Sequence, residues 1–252
     1  MTTCPQTKNK PLSGGQLKLI ACASMFASHL TRSFSFAPAS ELILDGIIGR
    51  IAFPLFCLML AEGFFHTRSR SRYLLRVALL ALVSEPFFDR ALHGKWLDAT
   101  HQNTCFTLAL GLLLFLFLAG IREKRDLPWR QAALLQLLLI GACSLAALLL
   151  RFDYHAPGIG ALAACFYGCE PPRAEAPSGI AAAPIFAQQK RHLALFVACG
   201  FLNLDGFSCP AAFLSLIPAY FYDGTRERGR GLVQILFYLF YPLHLLALII
   251  LS

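Results

Sequence analysis

Apolar residues run through this chain in long blocks, and short polar stretches separate them. A helix that spans a bilayer needs about twenty mainly apolar residues. The pattern predicts spans at residues 17–36, 47–66, 73–90, 104–121, 132–151, 157–169, 192–204, 207–222 and 231–251. The sixth and seventh are short, and re-entrant or partly buried segments are the alternative for them. Because unpaired backbone groups in lipid are too costly, every span should be helical. The sequence therefore predicts an all-α integral membrane protein, a bundle of about eight or nine helices.

Composition and charge agree with this fold class. The 252 residues are 57% hydrophobic and only 14% charged, which is far more apolar than an ordinary soluble domain. A net charge of +8 would suit a nucleic-acid partner, but the basic residues stand in short clusters between apolar runs. If the N-terminus is cytoplasmic, threading nine spans places 17 of the 22 Lys and Arg residues on the cytoplasmic side, as the positive-inside rule predicts. The exceptions are Arg32, Arg50, Arg90, Lys95 and Arg151. We therefore assign the charge to topology, with the lipid bilayer as partner and no nucleic acid.

The chain divides into a cytoplasmic tail, residues 1–16, and one multispan membrane domain, residues 17–252. The stretch 168–192 is rich in Pro and Ala without a sustained period, so we expect a flexible cytoplasmic loop there. The N-terminal region is similar to a secretory signal, but His29 and Arg32 interrupt its apolar part, which favours a retained first helix. Cysteines lie mostly inside apolar runs without zinc-ligand spacing, so no metal site is predicted.

Polar residues follow one stripe of the first predicted helix. Lys18, Cys22, Met25, His29 and Arg32 recur at steps of four and three, which places them on one face. The eleven-residue step from Lys18 to His29 rises about 16 Å along a helix. Lys18 should therefore lie near the inner surface and His29 in the outer half of the membrane.

The same threading brings other polar residues to the depth of His29. They are Arg50, Glu85, Asp89, Gln102, Asn103, Asp153, His155, Asn203, Asp205 and His244. Ionisable groups inside a membrane are costly and usually face a cavity or a partner. We therefore expect a polar cavity open to the outer side. Less specific roles stay open: Asp153 and Asp205 as loop residues in water, His244 as a structural histidine, and Glu62, which lies deeper, in an ion pair with Lys18 or Arg76.

Four motifs resemble the TraX family of membrane proteins. They are GRIAFPLFCLMLAEGFFHTRSRSRYLLR at 49–76, LVSEPFFDRAL at 82–92, HQNTCFTLALGLLL at 101–114 and YLFYPLHLLALIIL at 238–251. The resemblance runs from about residue 15 to the C-terminus apart from 168–192. It implies a bacterial inner-membrane protein of pilus biogenesis and conjugation that transfers an acetyl group to a pilin N-terminus. The spacing of Lys18 and His29 is also similar to membrane acyltransferases, which implies acetyl-CoA as the donor.

Acyl transfer needs a base for the acceptor proton and a donor for the developing oxyanion. We predict His29 as the base and Arg50 as the oxyanion donor, with Asn103 or His244 as second choices. Either Glu85 or Asp89 would orient an imidazole or pair with Arg50. At the inner mouth, the phosphates of coenzyme A should meet three cations, Lys18, Arg72 and Arg76.

One position departs from the family pattern, in which an Asp precedes the first-helix His. Here Ser28 precedes His29, so a carboxylate for the imidazole would have to come from Asp153 or Glu85. Three alternatives remain for the function: O-acetyl transfer to an envelope glycan, a noncatalytic pilin assembly factor and a small-solute transporter. The transporter is disfavoured because the internal repeats typical of that class are not visible.

Overall fold

The computed structural model describes residues 12–124, 126–171, 184–204, 210–222, 224 and 231–252. Within these ranges the chain forms helices, joined by turns and two isolated bridges. The first helices are α1 (Gly14–Ser33), α2 (Pro38–Glu41), α3 (Ala52–His66), α4 (Arg70–His93) and α5 (Thr104–Glu123). The others are α6 (Trp129–Leu149), α7 (His155–Cys169), α8 (Pro184–Leu202), α9 (Leu216–Phe221) and α10 (Gly231–Leu251).

Two of the predicted spans combine an α-helix with a segment of another helix type. Between α2 and α3 the chain passes through a π-helical segment, Leu42–Ile48, and a 3₁₀ turn, Gly49–Ile51. A second 3₁₀ segment, Pro210–Ser215, leads into α9. Helical structure thus occupies every predicted span within the described ranges. Three of the described segments are long and apolar enough to cross a membrane: Pro38–His66, Thr104–Glu123 and Trp129–Leu149. The count of eight or nine crossings stays a prediction.

Side chains at the helix ends explain where α1, α4 and α5 begin. Ser13 and Gln16 form a reciprocal capping box at the start of α1. Ser69 accepts the Arg72 backbone N–H at the start of α4, and Asn103 accepts that of Cys105 at the start of α5. Each cap satisfies a backbone donor that the helix itself leaves unpaired.

The core is built around α3, which packs against α1, α5 and α7. Phe53, Phe64, Phe115 and Phe166 are almost fully buried there. By contrast, α6 exposes most of its apolar side chains, and a membrane is the natural solvent for such a face. α7 and α8 approach closely where Gly168 meets Ala194, as small residues allow in membrane helices.

The predicted loop 168–192 is shorter than the sequence pattern indicated. α7 extends to Cys169, and α8 already begins at Pro184. A helix tolerates Pro in its first turn, where the missing N–H has no intrahelical partner to lose. Residues 172–183 and Asp205 lie outside the described residues, as do residues 1–11 of the predicted tail.

Candidate functional site

Helices α1 and α10 bring two buried histidines together. His29 Nδ1 lies 2.8 Å from His244 Nε2, and the two rings stack with centroids 5.1 Å apart. The side chains are only 5% and 6% exposed. The sequence singled out both residues but did not predict that they would bond each other.

The hydrogen bonds around this pair assign its protons. His244 Nδ1 lies 2.8 Å from the Phe240 carbonyl oxygen, which can only accept, so Nδ1 carries the proton. Nε2 of a neutral His244 is then an acceptor, and His29 Nδ1 must donate to it. The remaining nitrogen of His29, Nε2, therefore keeps its lone pair. The arrangement leaves His29 oriented as a base, with His244 holding its tautomer.

Aromatic rings enclose the histidine pair. Phe88 of α4 and Tyr241 of α10 meet the His29 ring edge-on, with centroids 6.2 Å and 6.1 Å away. Phe240 stacks on His244 at 5.0 Å. These contacts fix the ring planes and keep the pair in a setting with little water.

A cavity of about 420 Å³ runs between α1, α3, α4, α5 and α10. Lys18, His66 and Arg76 line one end, and Met25 and Tyr241 line the other. Met25 is one helical turn before His29, and Tyr241 contacts the His29 ring. The cavity therefore leads from the basic end of α1 toward the histidine pair, along the stripe that the sequence predicted.

This cavity lies at a different place from the one that the sequence predicted. A polar cavity open to the outer side stays a prediction, whereas the cavity described above lies on the Lys18 side of His29. Several of the outer polar groups are instead buried and bonded to one another, because in an apolar environment each needs a partner.

Two of the three predicted phosphate contacts line the cavity. The Lys18 ammonium lies over the Phe237 ring at 5.4 Å, and the Arg76 guanidinium lies over Tyr73 at 5.7 Å. These aromatic faces hold the cations at the mouth. Arg72, one turn before Arg76 on α4, is exposed and is not among the described residues that line the cavity.

A carboxylate that the sequence analysis missed lies beside the histidine helix. Asp45, in the π-helical segment, accepts a hydrogen bond from the Ser28 hydroxyl. It also pairs with Arg50 at 3.3 Å and with Arg32 at 3.8 Å. The signal was present, since Asp45 is a charge in an apolar run that also contains Arg50, and buried charges need partners.

Asp45 changes the assignments made for Arg50 and Ser28. Asp45, rather than the predicted Glu85 or Asp89, is the carboxylate that pairs with Arg50. The Ser28 hydroxyl contacts Asp45 too, and the described hydrogen bond of the His29 imidazole goes to His244 rather than to Asp153 or Glu85. A Cβ on Gly49 would come within 2.7 Å of the Ser28 Cβ, so a glycine is needed for this close approach.

Glu85 and Asn103 join the ends of α4 and α5. The Asn103 amide donates to the Ala81 carbonyl at 2.9 Å and to the Glu85 carboxylate. Its oxygen accepts the Cys105 N–H at 2.9 Å. Both amide hydrogens are engaged, so donation to an oxyanion would require one of these bonds to break. In these contacts Asn103 has a structural role.

Asp89 holds the connection between α4 and α5. It is 1% exposed, and its Oδ2 accepts the Asp98 backbone N–H at 2.7 Å. Hydrogen bonds from the Thr100 side chain and backbone lower the pKa of Asp98 to about 2. The described hydrogen bonds place neither Glu85 nor Asp89 on an imidazole.

The connection between α6 and α7 closes over this end of the bundle. Asp153 accepts the Thr104 hydroxyl at 2.5 Å, and Tyr154 stacks on Phe53 with centroids 3.8 Å apart. Tyr154, Arg151 and His155 all have positive φ, an uncommon conformation that packing must support. Asp153 is thus part of the structure rather than a loop residue in water.

Glu62 forms the structural ion pair that the sequence predicted, but with a different partner. Its carboxylate is buried and contacts Arg191 at 2.7 Å and the Tyr222 hydroxyl at 2.8 Å. The expected partners, Lys18 and Arg76, were wrong. Arg191 follows Glu62 by 129 residues, a separation that no local pattern reveals.

The comparisons with known proteins agree with these motifs. The sequence model of the family described as TraX protein matches residues 13–252. The chain is 29% identical over 248 residues to the probable fimbrial assembly protein FimC, serogroup H1, of Dichelobacter nodosus, and the alignment covers 95% of each chain. No solved structure matches it. Since the family match spans almost the whole sequence, the chain belongs to the TraX family.

Proposed function

We propose that this protein is a membrane acetyltransferase of pilus biogenesis. It would move an acetyl group from acetyl-CoA to the N-terminus of a pilin-like protein. The observation that carries the proposal is the cavity between the cations of α1 and α4 and the His29–His244 pair. The cavity extends from two cations that would bind an anion to Tyr241, whose ring contacts that of His29, although neither histidine lines the cavity itself.

The cavity suits the donor in charge and in length. Lys18 and Arg76 at its mouth would bind the phosphates of coenzyme A, and the exposed Arg72 lies close by on α4. The eleven-residue step from Lys18 to His29 is about 16 Å, comparable to an extended pantetheine arm. Cys22, Met25 and Leu80 give the walls an apolar character between the two ends. The thioester would then reach the histidines while the nucleotide stays outside.

The histidine pair provides the proton transfers of the reaction. The nitrogen of the acceptor amine attacks the thioester carbonyl carbon, and His29 Nε2 takes a proton from that nitrogen. The carbonyl oxygen becomes an oxyanion in the tetrahedral intermediate. The C–S bond then breaks, and His29 gives the proton that it took from the amine to the coenzyme A thiolate. An amide and free coenzyme A are the products. The hydrogen bond to His244 supports the imidazolium that forms between these steps.

The family and the fimbrial relative support the place of this reaction in pilus assembly. A pilin N-terminus offers a primary amine, which is a nucleophile once a base has removed its extra proton. The protein would accept it at the bacterial inner membrane, with the coenzyme A arriving from the cytoplasm.

The direct test uses purified protein in detergent or nanodiscs. Labelled acetyl-CoA is supplied with a synthetic peptide that carries the N-terminal segment of a cognate pilin, and amide formation is measured by mass spectrometry. Wild-type protein should acetylate the peptide, and His29→Ala and His29→Gln should lose at least ~10²-fold in turnover. Full turnover in both variants would exclude His29 as the base. Absence of transfer by the wild type would refute the activity.

A noncatalytic assembly role is the second candidate, favoured by the similarity to a probable fimbrial assembly protein and by Ser28 in place of an Asp. Pilus formation in cells separates the two. If the protein only holds pilin, His29→Gln should support normal pili, because Gln keeps a side-chain donor for His244. If it acetylates pilin, the same variant should yield pilins with free N-termini.

A further inference from the structure

Tyr241 lies between the cavity, which it lines, and the histidine pair, which its ring contacts. Its ring centroid is 6.1 Å from that of His29 and 5.5 Å from that of His244, and the residue lines the cavity. It is only 5% exposed. Since Tyr241 is three residues before His244 on α10, the same helix positions both groups.

The phenol oxygen of Tyr241 is buried and forms no hydrogen bond with any residue that the structure describes. The Thr104 hydroxyl lies near it, but the distance and angles between the two groups are not those of a hydrogen bond, and Thr104 donates its own proton to Asp153. A buried tyrosine hydroxyl usually has a partner, because leaving it without one is costly. An unpaired donor beside a base, at the end of a cavity, indicates a partner that arrives with a ligand.

We propose that Tyr241 is a catalytic residue that binds the carbonyl oxygen of the thioester. The proposal rests on the acetyltransferase function proposed above. The phenol O–H donates a hydrogen bond to this oxygen, and the bond strengthens when attack by the amine turns the oxygen into an oxyanion. The proton stays on Tyr241 throughout, and His29 carries out the proton transfers.

Tyr241 is better placed for this role than Arg50, the donor predicted from the sequence. Arg50 pairs with Asp45 and is not among the described residues that line the cavity. Tyr241 lines it together with Met25 and Cys105. With the hydroxyl on one side of the carbonyl group and His29 on the other, the acceptor nitrogen can approach the carbon between them.

Tyr241→Phe tests the proposal because it removes only the hydroxyl. Turnover should fall ~10²- to 10³-fold, the usual loss for one oxyanion donor, while the dissociation constant for acetyl-CoA changes less than about threefold. The apparent melting temperature in detergent should stay the same or rise, because the lost hydroxyl has no hydrogen-bond partner among the described residues. Tyr220→Phe is the control, since Tyr220 is 59% exposed and is not among the described residues that line the cavity. It should keep wild-type turnover.

Two results would overturn the assignment. The first is wild-type turnover in Tyr241→Phe, and the second is a melting temperature of this variant so low that unfolding explains its loss of turnover. Either result leaves the acetyltransferase proposal standing if the wild type transfers acetyl groups. Failure of the wild type to do so, with cognate peptide and donor present, would instead refute the proposed function, and the role of Tyr241 with it.

Discussion

His29 and His244 are 215 residues apart in the chain and are joined by a 2.8 Å hydrogen bond inside the helix bundle. The Phe240 carbonyl fixes the protonation of His244, and His244 fixes that of His29. The position of the lone pair on His29, in α1, is thus set by a backbone oxygen of α10. These two hydrogen bonds, the histidine relay, run from Phe240 through His244 to His29. Through them α10 orients the proposed base.

The relay predicts that the two histidines act as one unit. His29→Ala should reduce turnover ~10²- to 10⁴-fold and His244→Ala by a smaller factor, because only His29 exchanges the substrate proton. The double variant should be no worse than His29→Ala alone, since groups that act together are not additive. His244→Gln should retain more activity than His244→Ala, because its amide oxygen can accept from His29 Nδ1. Single-turnover measurements would check this, and multiplied losses in the double variant would contradict it.

Helical periodicity predicted the parts of the site that lie within one element. Lys18, Cys22 and Met25 line the cavity in the order that steps of four and three require, and His29 follows them. The positions of the described helices also followed from the apolar blocks. Such features depend on local spacing alone, which the sequence contains.

The pairings between elements were not predictable in this way. Asp45 lies in a π-helical segment, where the turn is wider than 3.6 residues and the direction of a side chain departs from the helical pattern. The partner of Glu62 comes from α8, and several cations in the sequence could have satisfied it equally well. Which helix faces meet is decided by packing across the whole bundle, and one sequence does not reveal it.

The contact between Ser28 and Asp45 predicts the effect of restoring the family's Asp. Ser28→Asp alone should lower the melting temperature, because a second carboxylate would face Asp45 in a partly buried site where like charges repel. Adding Asp45→Asn should recover most of the loss. Thermal unfolding of both variants and of Asp45→Asn would complete the double-mutant cycle. If Ser28→Asp is as stable as wild type, the two side chains do not interact in the membrane.

The cations at the cavity mouth predict a charge dependence of donor binding. Lys18→Glu and Arg76→Glu should each raise the Michaelis constant for acetyl-CoA about tenfold or more, with a smaller change in turnover. Arg72→Glu should have a weaker effect, since Arg72 does not line the cavity. The wild-type constant should also rise with salt, which screens exposed charges.

Lys95→Glu is the control for these reversals, because Lys95 is 70% exposed in the connection between α4 and α5, away from the mouth. It changes the net charge of the protein by the same amount as Lys18→Glu. Equal effects of the two variants would mean that the dependence reflects overall charge rather than a phosphate site.

The pair of buried Glu62 and partly buried Arg191 predicts a large effect on stability. Glu62→Gln should destabilise the protein by at most about 3–5 kcal/mol, because it removes the counter-charge of the partly buried Arg191. Replacing both with Leu should cost less than either single change, since no buried charge then remains. Glu123→Gln is the control: it breaks the exposed pair with Arg70, where Glu123 is 68% exposed, and should cost at most about 1 kcal/mol. Reversible unfolding in mixed micelles would measure each change, and a Glu62→Gln effect as small as that of Glu123→Gln would show that the buried pair does not hold α3 to α8.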